Sequence, residues 1–319
     1  MNRFRVLHVT EFNYDGPVSE SYNQVHLRPR DDARQICLSF RLRTDPVAQP
    51  AAHRDYFGNW VHHFNILHKH ERLRIEAESV VMVSDPSPLF SDSLSLAELD
   101  GRRSELMEEF YEYLVPTAYA PNTTQLVELV RGAEEKGGGT AIGFALAVTA
   151  LIYERFRYEK GATQVHSSVE DVLREGAGVC QDFAHLLLAL ARMRGLPGRY
   201  VSGYLAPSSP GKKESDMEEV RGGLSSHAWA EIFIAGAGWL GLDPTLGQPV
   251  SQQHIHLAYG RDYGDVAPVR GVYRGHAGQR LSVDVRVRPA LDDEGCEHLQ
   301  ETCATPAPPR RPEEPPQQQ

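Results

Sequence analysis

The sequence predicts an α+β protein, with an amino-terminal antiparallel β domain followed by a core in which a cysteine-bearing helix packs on an antiparallel sheet. Three observations lead there. Apolar residues recur with period two through the first 90 or so residues, the period turns helical from about residue 94, and short strand-like runs return after residue 198. The expected division is a β domain over residues 1–90, a core with its helical lead-in over 91–290, and a tail over 291–319.

In the β domain, Phe4, Val6, His8 and Thr10 alternate with charged or polar neighbours. Ile36, Leu38, Phe40 and Leu42 do the same, as do Leu73, Ile75 and Ala77 set against Arg72, Arg74, Glu76 and Glu78. Asp55, Gly58 and Asn59 mark a turn between these runs. Leu94, Leu96 and Leu99, then Leu106, Phe110 and Leu114, form helical stripes, and further helices start at Thr124 and Ala141. The second, AIGFALAVTALIYERF, is apolar enough to be buried centrally. Ser167 and Glu170 have capping-box spacing and open a short helix that Gly176 to Gly178 ends.

A longer helix runs from about Val179 to Arg194, with Gly195 as its stop and Pro197 beyond. Short strands follow at Arg199 to Leu205, Ala228 to Ile234 and Trp239 to Leu242, the last two joined by a tight AGAG turn. Leu281, Val283, Val285 and Val287 make a final alternating strand. The tail from Ala304 is so rich in proline and polar residues that disorder is expected.

Composition narrows the function. The 319-residue chain is 41% apolar and 24% charged, with a formal net charge of -10, which disfavours an electrostatic grip on nucleic acid or anionic lipid. The longest apolar stretches, around Gly143 to Ile152 and Phe183 to Ala191, fall short of the roughly 20 residues of a membrane span. Residues 1–20 contain no continuous apolar segment of the secretory kind. Four scattered cysteines, at 37, 180, 296 and 303, suit a reducing compartment, so the cytoplasm is the expected location.

Cys180 stands where a helix begins, after a glycine-containing turn in GAGVCQDF. Free backbone N–H groups and the positive end of the helix dipole stabilise a thiolate there, and the same groups can bind the oxyanion formed when sulfur attacks a carbonyl. Alone, such a cysteine reads as a small buried hydrophobe. Two further residues change the reading. His227 begins the strand HAWAEIFI and Asp243 ends GWLGLDPT, so an antiparallel hairpin brings them to one edge of the sheet. Thiol, imidazole and an orienting carboxylate suffice for nucleophilic attack on an amide. Strict pairing across AGAG sets Asp243 opposite residue 230 or 231, so a bulge or strong twist is expected to close the offset to His227.

The stretches GVCQDFAHLLLALARMRGLPGRYVSGYL, SSHAWAEIFIAGAGWLGLDPT and GRDYGDVAPVRGVYRG resemble the bacterial transglutaminase-like family. HVTEFNYDGPVSESYNQVHLRPR and DYFGNWVHHFNI resemble that family's amino-terminal β domain. The resemblance spans nearly the whole chain apart from the tail. It implies a papain-like core, with the family's nucleophile on Cys180, its histidine on His227 and its acid on Asp243. It also implies a thioester intermediate and a protein or peptide substrate. Animal transglutaminases carry tryptophan directly after the cysteine, whereas Gln181 and Asp182 follow here. Transfer to an amine, deamidation and peptide hydrolysis therefore stay open, with a cysteine peptidase or amidase as the alternative enzyme. A non-catalytic peptide-binding scaffold is the alternative of another class.

Other residues carry two readings each. Trp229 and Trp239 either wall off water or pack the sheet. Asp182 reads as a helix N-terminal acid and His185 as a packed or surface histidine. Gly260 to Tyr263 either line the cleft or brace the carboxy-terminal strand. The histidine pairs 62 and 63, 68 and 70, and 254 and 256 invite a metal reading, yet no cysteine or carboxylate set of matching spacing accompanies them. Cys37 falls in the outward phase of its strand, and Cys296 and Cys303 have no base nearby in sequence. No cofactor or metal is expected.

Overall fold

The computed structural model describes residues 1–84, 94–163, 166–207 and 226–290. The tail, with Cys296 and Cys303, lies outside these residues. The first sheet comprises β1 (Asn2–Val25), β2 (Gln35–Asp45), β3 (Ala51–Arg54), β4 (Trp60–Ile66) and β5 (His70–Val83), in the order β2-β5-β1-β4-β3. The expected inward rows are buried, with Phe4, Val6, His8 and Thr10 on β1 and Leu73, Ile75 and Ala77 on β5. The Asp55 to Asn59 turn closes through Gly58 N–H to Asp55 O at 2.9 Å and Asn59 N–H to the Asp55 carboxylate at 2.7 Å.

On β2 the register slips by one between Cys37 and Ser39, so Ile36 turns outward and is 50% exposed. The simple alternation expected there breaks because a bulge inserts one residue against the partner strand. The Cys37 sulfur donates to Ser39 O at 3.3 Å, and burial pushes its thiol up to about 12.

The helical lead-in consists of α1 (Leu96–Gly101), α2 (Arg103–Glu109), α3 (Tyr111–Leu114), a 3-10 turn at Thr124–Leu126, α4 (Val127–Lys136) and α5 (Ala141–Arg155). A short parallel pair, β6 (Arg157–Tyr158) and β7 (Ala177–Gly178), flanks α6 (Val169–Glu175). The cap of α6 lies one residue later than expected: the Asp171 carboxylate accepts from the Ser168 N–H at 2.9 Å and its hydroxyl at 3.1 Å. Both Ser167/Glu170 and Ser168/Asp171 satisfy the same spacing, which periodicity alone cannot separate.

Helix α7 (Cys180–Arg194) is buried from Asp182 to Arg192. It ends at Gly195, φ +90°, where Leu196 N–H reaches Ala191 O and Gly195 N–H reaches Arg192 O, a glycine-dependent left-handed cap. The helix packs between α5 and a second antiparallel sheet. That sheet comprises β8 (Gly198–Leu205), β9 (Ser226–Ile234), β10 (Gly238–Asp243), β11 (Gln248–Pro249) and β12 (His254–Gly260), in the order β11-β10-β9-β8-β12. Strand β12 is buried along its whole length, so its sequence shows no alternation.

After α8 (Tyr263–Val266), strands β13 (Val269–Arg274) and β14 (Gln279–Pro289) return to the first sheet, both pairing with β1. A boundary at residues 90 and 91 assigns them to the core instead. The pleat period reveals that a strand exists, not which distant strand it joins. Their return adds two strands alongside β1.

Candidate active site

Local sequence fixes the position of Cys180 as the first residue of α7. Val179 is extended and caps the helix, and its N–H donates to the Asp182 carboxylate at 2.8 Å. Thr163 donates its hydroxyl to the same oxygen at 2.5 Å. A Cβ at Gly178 would sit 3.0 Å from Asp182, so the turn before the nucleophile packs tightly against this acid. Asp182 is thus the helix N-terminal acid expected of it, with burial pushing its carboxyl up against these two hydrogen bonds.

His227 lies on β9 opposite Gly203 of β8, and Asp243 closes β10. The His227 Nε2 lies 2.7 Å from Asp243 Oδ2, and both side chains are fully buried. No bulge is needed for this contact. The β9–β10 ladder runs without a register shift to Leu242 opposite Ala230, which sets Asp243 opposite Trp229. His227 is two residues from Trp229 and therefore on the same face, so the pair is a diagonal cross-strand neighbour within side-chain reach.

Asp243 accepts four hydrogen bonds. Its Oδ1 receives the N–H of Thr245 at 2.9 Å and of Leu246 at 3.2 Å. Its Oδ2 receives His227 and also His254 Nε2 at 3.0 Å. The tautomer of His254 follows from its other nitrogen, because Ser251 N–H donates to Nδ1 at 3.1 Å and Nε2 must then carry the proton. His254 is the member of the site that sequence reasoning did not include: its pairing with His256 invited a metal reading, which was set aside, and no role toward Asp243 was assigned. It lies on β12, separated from the β9–β10 hairpin by β8, and that strand has no alternation to announce it.

His227, Asp243 and His254 cluster closely enough to raise the metal reading again. The geometry is that of hydrogen bonds: 2.7 and 3.0 Å are shorter than the roughly 3.4 Å between two ligands on a tetrahedral zinc. His256 belongs to a different network, 3.2 Å from Asp32 and 3.7 Å from Glu231.

Electrostatics match the geometry. Burial works against a charged His227, but the Asp243 carboxylate and the neighbouring Cys180 sulfur outweigh it and hold the imidazolium up to about 10. Burial likewise opposes an ionised Asp243, yet the His227 charge and the two histidine hydrogen bonds hold its carboxyl well below the usual range. Burial keeps His254 neutral, lowering it despite Asp243. The His227 Nδ1 has no conventional hydrogen-bond partner among the described residues, which leaves that nitrogen for the thiol.

A cleft of about 560 Å³ opens over this group. Cys180, Gln181, His227, Tyr200 and Tyr263 line its core side, and β1, β13 and β14 form the facing wall. The tryptophans do not line it. Trp229 packs with Val201, Val250 and Tyr259, and Trp239 packs on Phe110, Tyr113, Phe233 and the Arg199 guanidinium. His185 is packed, stacked between Tyr119 and Tyr200, and burial lowers it to about 3. Arg261 pairs with Asp265, the Asp262 side chain caps α8, and Arg192 donates to the Arg261 carbonyl, so this segment braces while Tyr263 alone of it lines the cleft.

Residues 4–82 match the bacterial transglutaminase-like N-terminal region, and residues 128–244 match the transglutaminase-like superfamily. The uncharacterized protein ML0607 of Mycobacterium leprae is 36% identical over 288 residues, covering 90% of this chain and 99% of its own length. The chain belongs to the bacterial transglutaminase-like family. The uncharacterized protein Rv2569c of Mycobacterium tuberculosis is 35% identical over 304 residues, 92% of this chain and 94% of its own. Among solved structures, a candidate cysteine protease from Cytophaga hutchinsonii superposes with a TM-score of 0.69 at 22% identity, covering 92% of each chain. That likeness extends the family's fold across both sheets.

Proposed function

We propose that the protein is a cysteine acyltransferase acting on amide bonds of a protein or peptide substrate, with Cys180 as nucleophile, His227 as base and Asp243 as orienter. The observation that carries this reading is the division of labour on one buried ring. Nε2 of His227 is committed to Asp243, Nδ1 has no conventional hydrogen-bond partner among the described residues, and the Cys180 sulfur is close enough to favour the charged ring.

In the first step the sulfur attacks the amide carbonyl carbon, a C–S bond forms, and the thiol proton resides on His227. The carbonyl electrons move to oxygen, where N–H groups of the first turn of α7 stabilise them. The tetrahedral species collapses to a thioester, and the departing amine or ammonia takes the proton from His227. A second acceptor then loses its proton to His227 and attacks the thioester, restoring the thiol. An amine acceptor gives transamidation, and water gives deamidation of a glutamine side chain.

Peptide or amide hydrolysis shares every step through the thioester, and the description of the Cytophaga hutchinsonii protein as a candidate cysteine protease favours keeping it as the second reading. A scaffold role is disfavoured, because peptide binding has no use for a buried four-bond acid set behind an available imidazole nitrogen. A cytoplasmic setting accords with the free thiols Cys37 and Cys180.

The test is to incubate the protein with a glutamine-containing peptide, with and without a dansylated alkylamine, and read products by mass spectrometry. Amine adduct or conversion of amide to acid, lost in Cys180→Ala, is expected. Cleaved backbone with intact glutamine would replace acyl transfer by peptidase action, and no product from a panel of peptides would overturn both.

A further inference from the structure

The facing wall of the cleft comes from the β domain and carries an exposed apolar strip among polar side chains. On β1 and β14 the side chains that look into the cleft recur every second residue, and the ladder pairs Thr10 with Val283 and Phe12 with Leu281. Leu281 is 58% exposed and Val283 50% exposed, two apolar side chains adjacent on one face. Behind them Phe12 lies parallel to Tyr14 with ring centroids 6.5 Å apart, and Tyr14 meets Tyr273 edge to face at 5.0 Å. The Tyr273 hydroxyl is held by the Ala277 carbonyl at 2.7 Å, so this aromatic shelf is anchored.

Charge adds to the case. Arg270, at the rim and donating to the Gly264 carbonyl, is the one permanently charged side chain among the described residues lining the cleft, and no carboxylate joins it. Uncharged polar side chains such as Thr10, Ser21, Asn23 and Gln279 share the wall, and Phe12, Leu281 and Val283 form its apolar contact surface. The wall is also continuous with the nucleophile, since Cys180 and Leu281 line the same space.

We infer that the β domain is the specificity wall of the enzyme: Phe12, Leu281 and Val283, backed by Tyr14 and Tyr273, bind a large apolar side chain flanking the amide that Cys180 attacks. The occupant is an aromatic or branched aliphatic residue of the peptide substrate. The inference rests on the acyltransferase reading, because it assigns the binding partner of that same site. It gives the amino-terminal domain a role, and it explains why β13 and β14 return to that domain after the core is complete.

The test uses the full-length protein and three thiol-directed probes: iodoacetamide, chloroacetyl-alaninamide and chloroacetyl-phenylalaninamide. Each reacts by displacement of halide by the Cys180 sulfur, the thiol proton passing to His227, and mass spectrometry reads labelling at Cys180. At low concentration the phenylalanine probe is expected to label about tenfold faster than the alanine probe, the lower end of what an added apolar group brings in a protein pocket. In the double variant Leu281→Ser, Val283→Ser the preference should fall below about twofold while the iodoacetamide rate stays at the parental value. Both side chains are half exposed, and the unchanged iodoacetamide rate itself reports an intact site. Rapid iodoacetamide labelling without a preference for the phenylalanine probe, or a preference that survives the double substitution, overturns the inference and leaves the acyltransferase reading standing. Slow iodoacetamide labelling in the parent strikes the acyltransferase reading and this inference with it.

Discussion

Replacing Asp243 by Asn is the most informative single change at the site, because its size is preserved and only its acceptor capacity falls. Four donors converge on the two carboxylate oxygens: the N–H groups of Thr245 and Leu246 on Oδ1, and the Nε2 atoms of His227 and His254 on Oδ2. Asparagine has one acceptor oxygen. In either orientation its amide nitrogen faces two donors, and His254 cannot yield because its Nδ1 is occupied by Ser251 N–H. Leaving two buried donors unsatisfied at about 1–3 kcal/mol each predicts a loss of roughly 2–6 kcal/mol in unfolding free energy. His227 can escape by moving its proton to Nδ1, but that nitrogen is then no longer a base toward Cys180. The alkylation rate of Cys180 at neutral pH is therefore expected to fall by about 10³-fold or more, the scale of losing the correct tautomer in a nucleophile–histidine–acid site. Denaturant unfolding and iodoacetamide kinetics read the two effects. An Asp243→Asn protein of parental stability and parental reactivity would refute the assignment of these four bonds.

Three further outcomes follow from the same structure. His254→Phe removes one donor to Asp243 and strands the Ser251 N–H, so Cys180 alkylation should slow roughly tenfold if the lost bond is worth about 1.4 kcal/mol, and His254→Gln, which keeps a donor, should recover part of it. Gly203→Ala would place a Cβ 2.2 Å from the Ile255 carbonyl and 2.4 Å from the Trp229 ring, so a destabilisation of about 1–3 kcal/mol or more is expected by denaturant unfolding. His227 is raised in the fold from 6.5 to about 10, so its contribution is complete below its ordinary value and lost as pH rises through about 10. Asp243 is held low, so its contribution is present above the ordinary carboxylate value and lost as pH falls below it. The stability gap between parent and His227→Ala should therefore be widest at pH 5–6.5, below the ordinary value of His227, and close progressively toward pH 10, as read by urea midpoints.

Where side chains alternate between core and solvent, the sequence was easily read. His8 and Thr10 on β1 and Leu73 and Ile75 on β5 announce their strands through alternation, whereas α7, buried all round from Asp182 to Arg192, is marked instead by its length and its Gly195 stop. Strand β12 is buried on both faces, so its type is not announced locally, and β14, whose alternation marks it as a strand, pairs with residues at the far end of the chain, so its partner is not. The Cys180, His227 and Asp243 set was legible because each sits at a helix or strand terminus marked by glycine or a hairpin. The expected bulge is absent because the offset between His227 and Asp243 is even, which keeps both on one face. His254 was missed for a related reason: His-x-His spacing on a strand describes two side chains on one face without saying what they face. Here one ring meets a carboxylate already engaged by another histidine.

The central claim is that His227 activates Cys180, and the direct measurement is the pH dependence of iodoacetamide labelling, mapped to each cysteine, in the parent and in His227→Ala. The account predicts that Cys180, beside the His227 ring, labels much faster at neutral pH than Cys37, whose thiol burial pushes up to about 12. In His227→Ala the Cys180 rate should drop toward that of an unassisted thiol. Labelling of Cys180 no faster than Cys37, or unaffected by loss of His227, would contradict it.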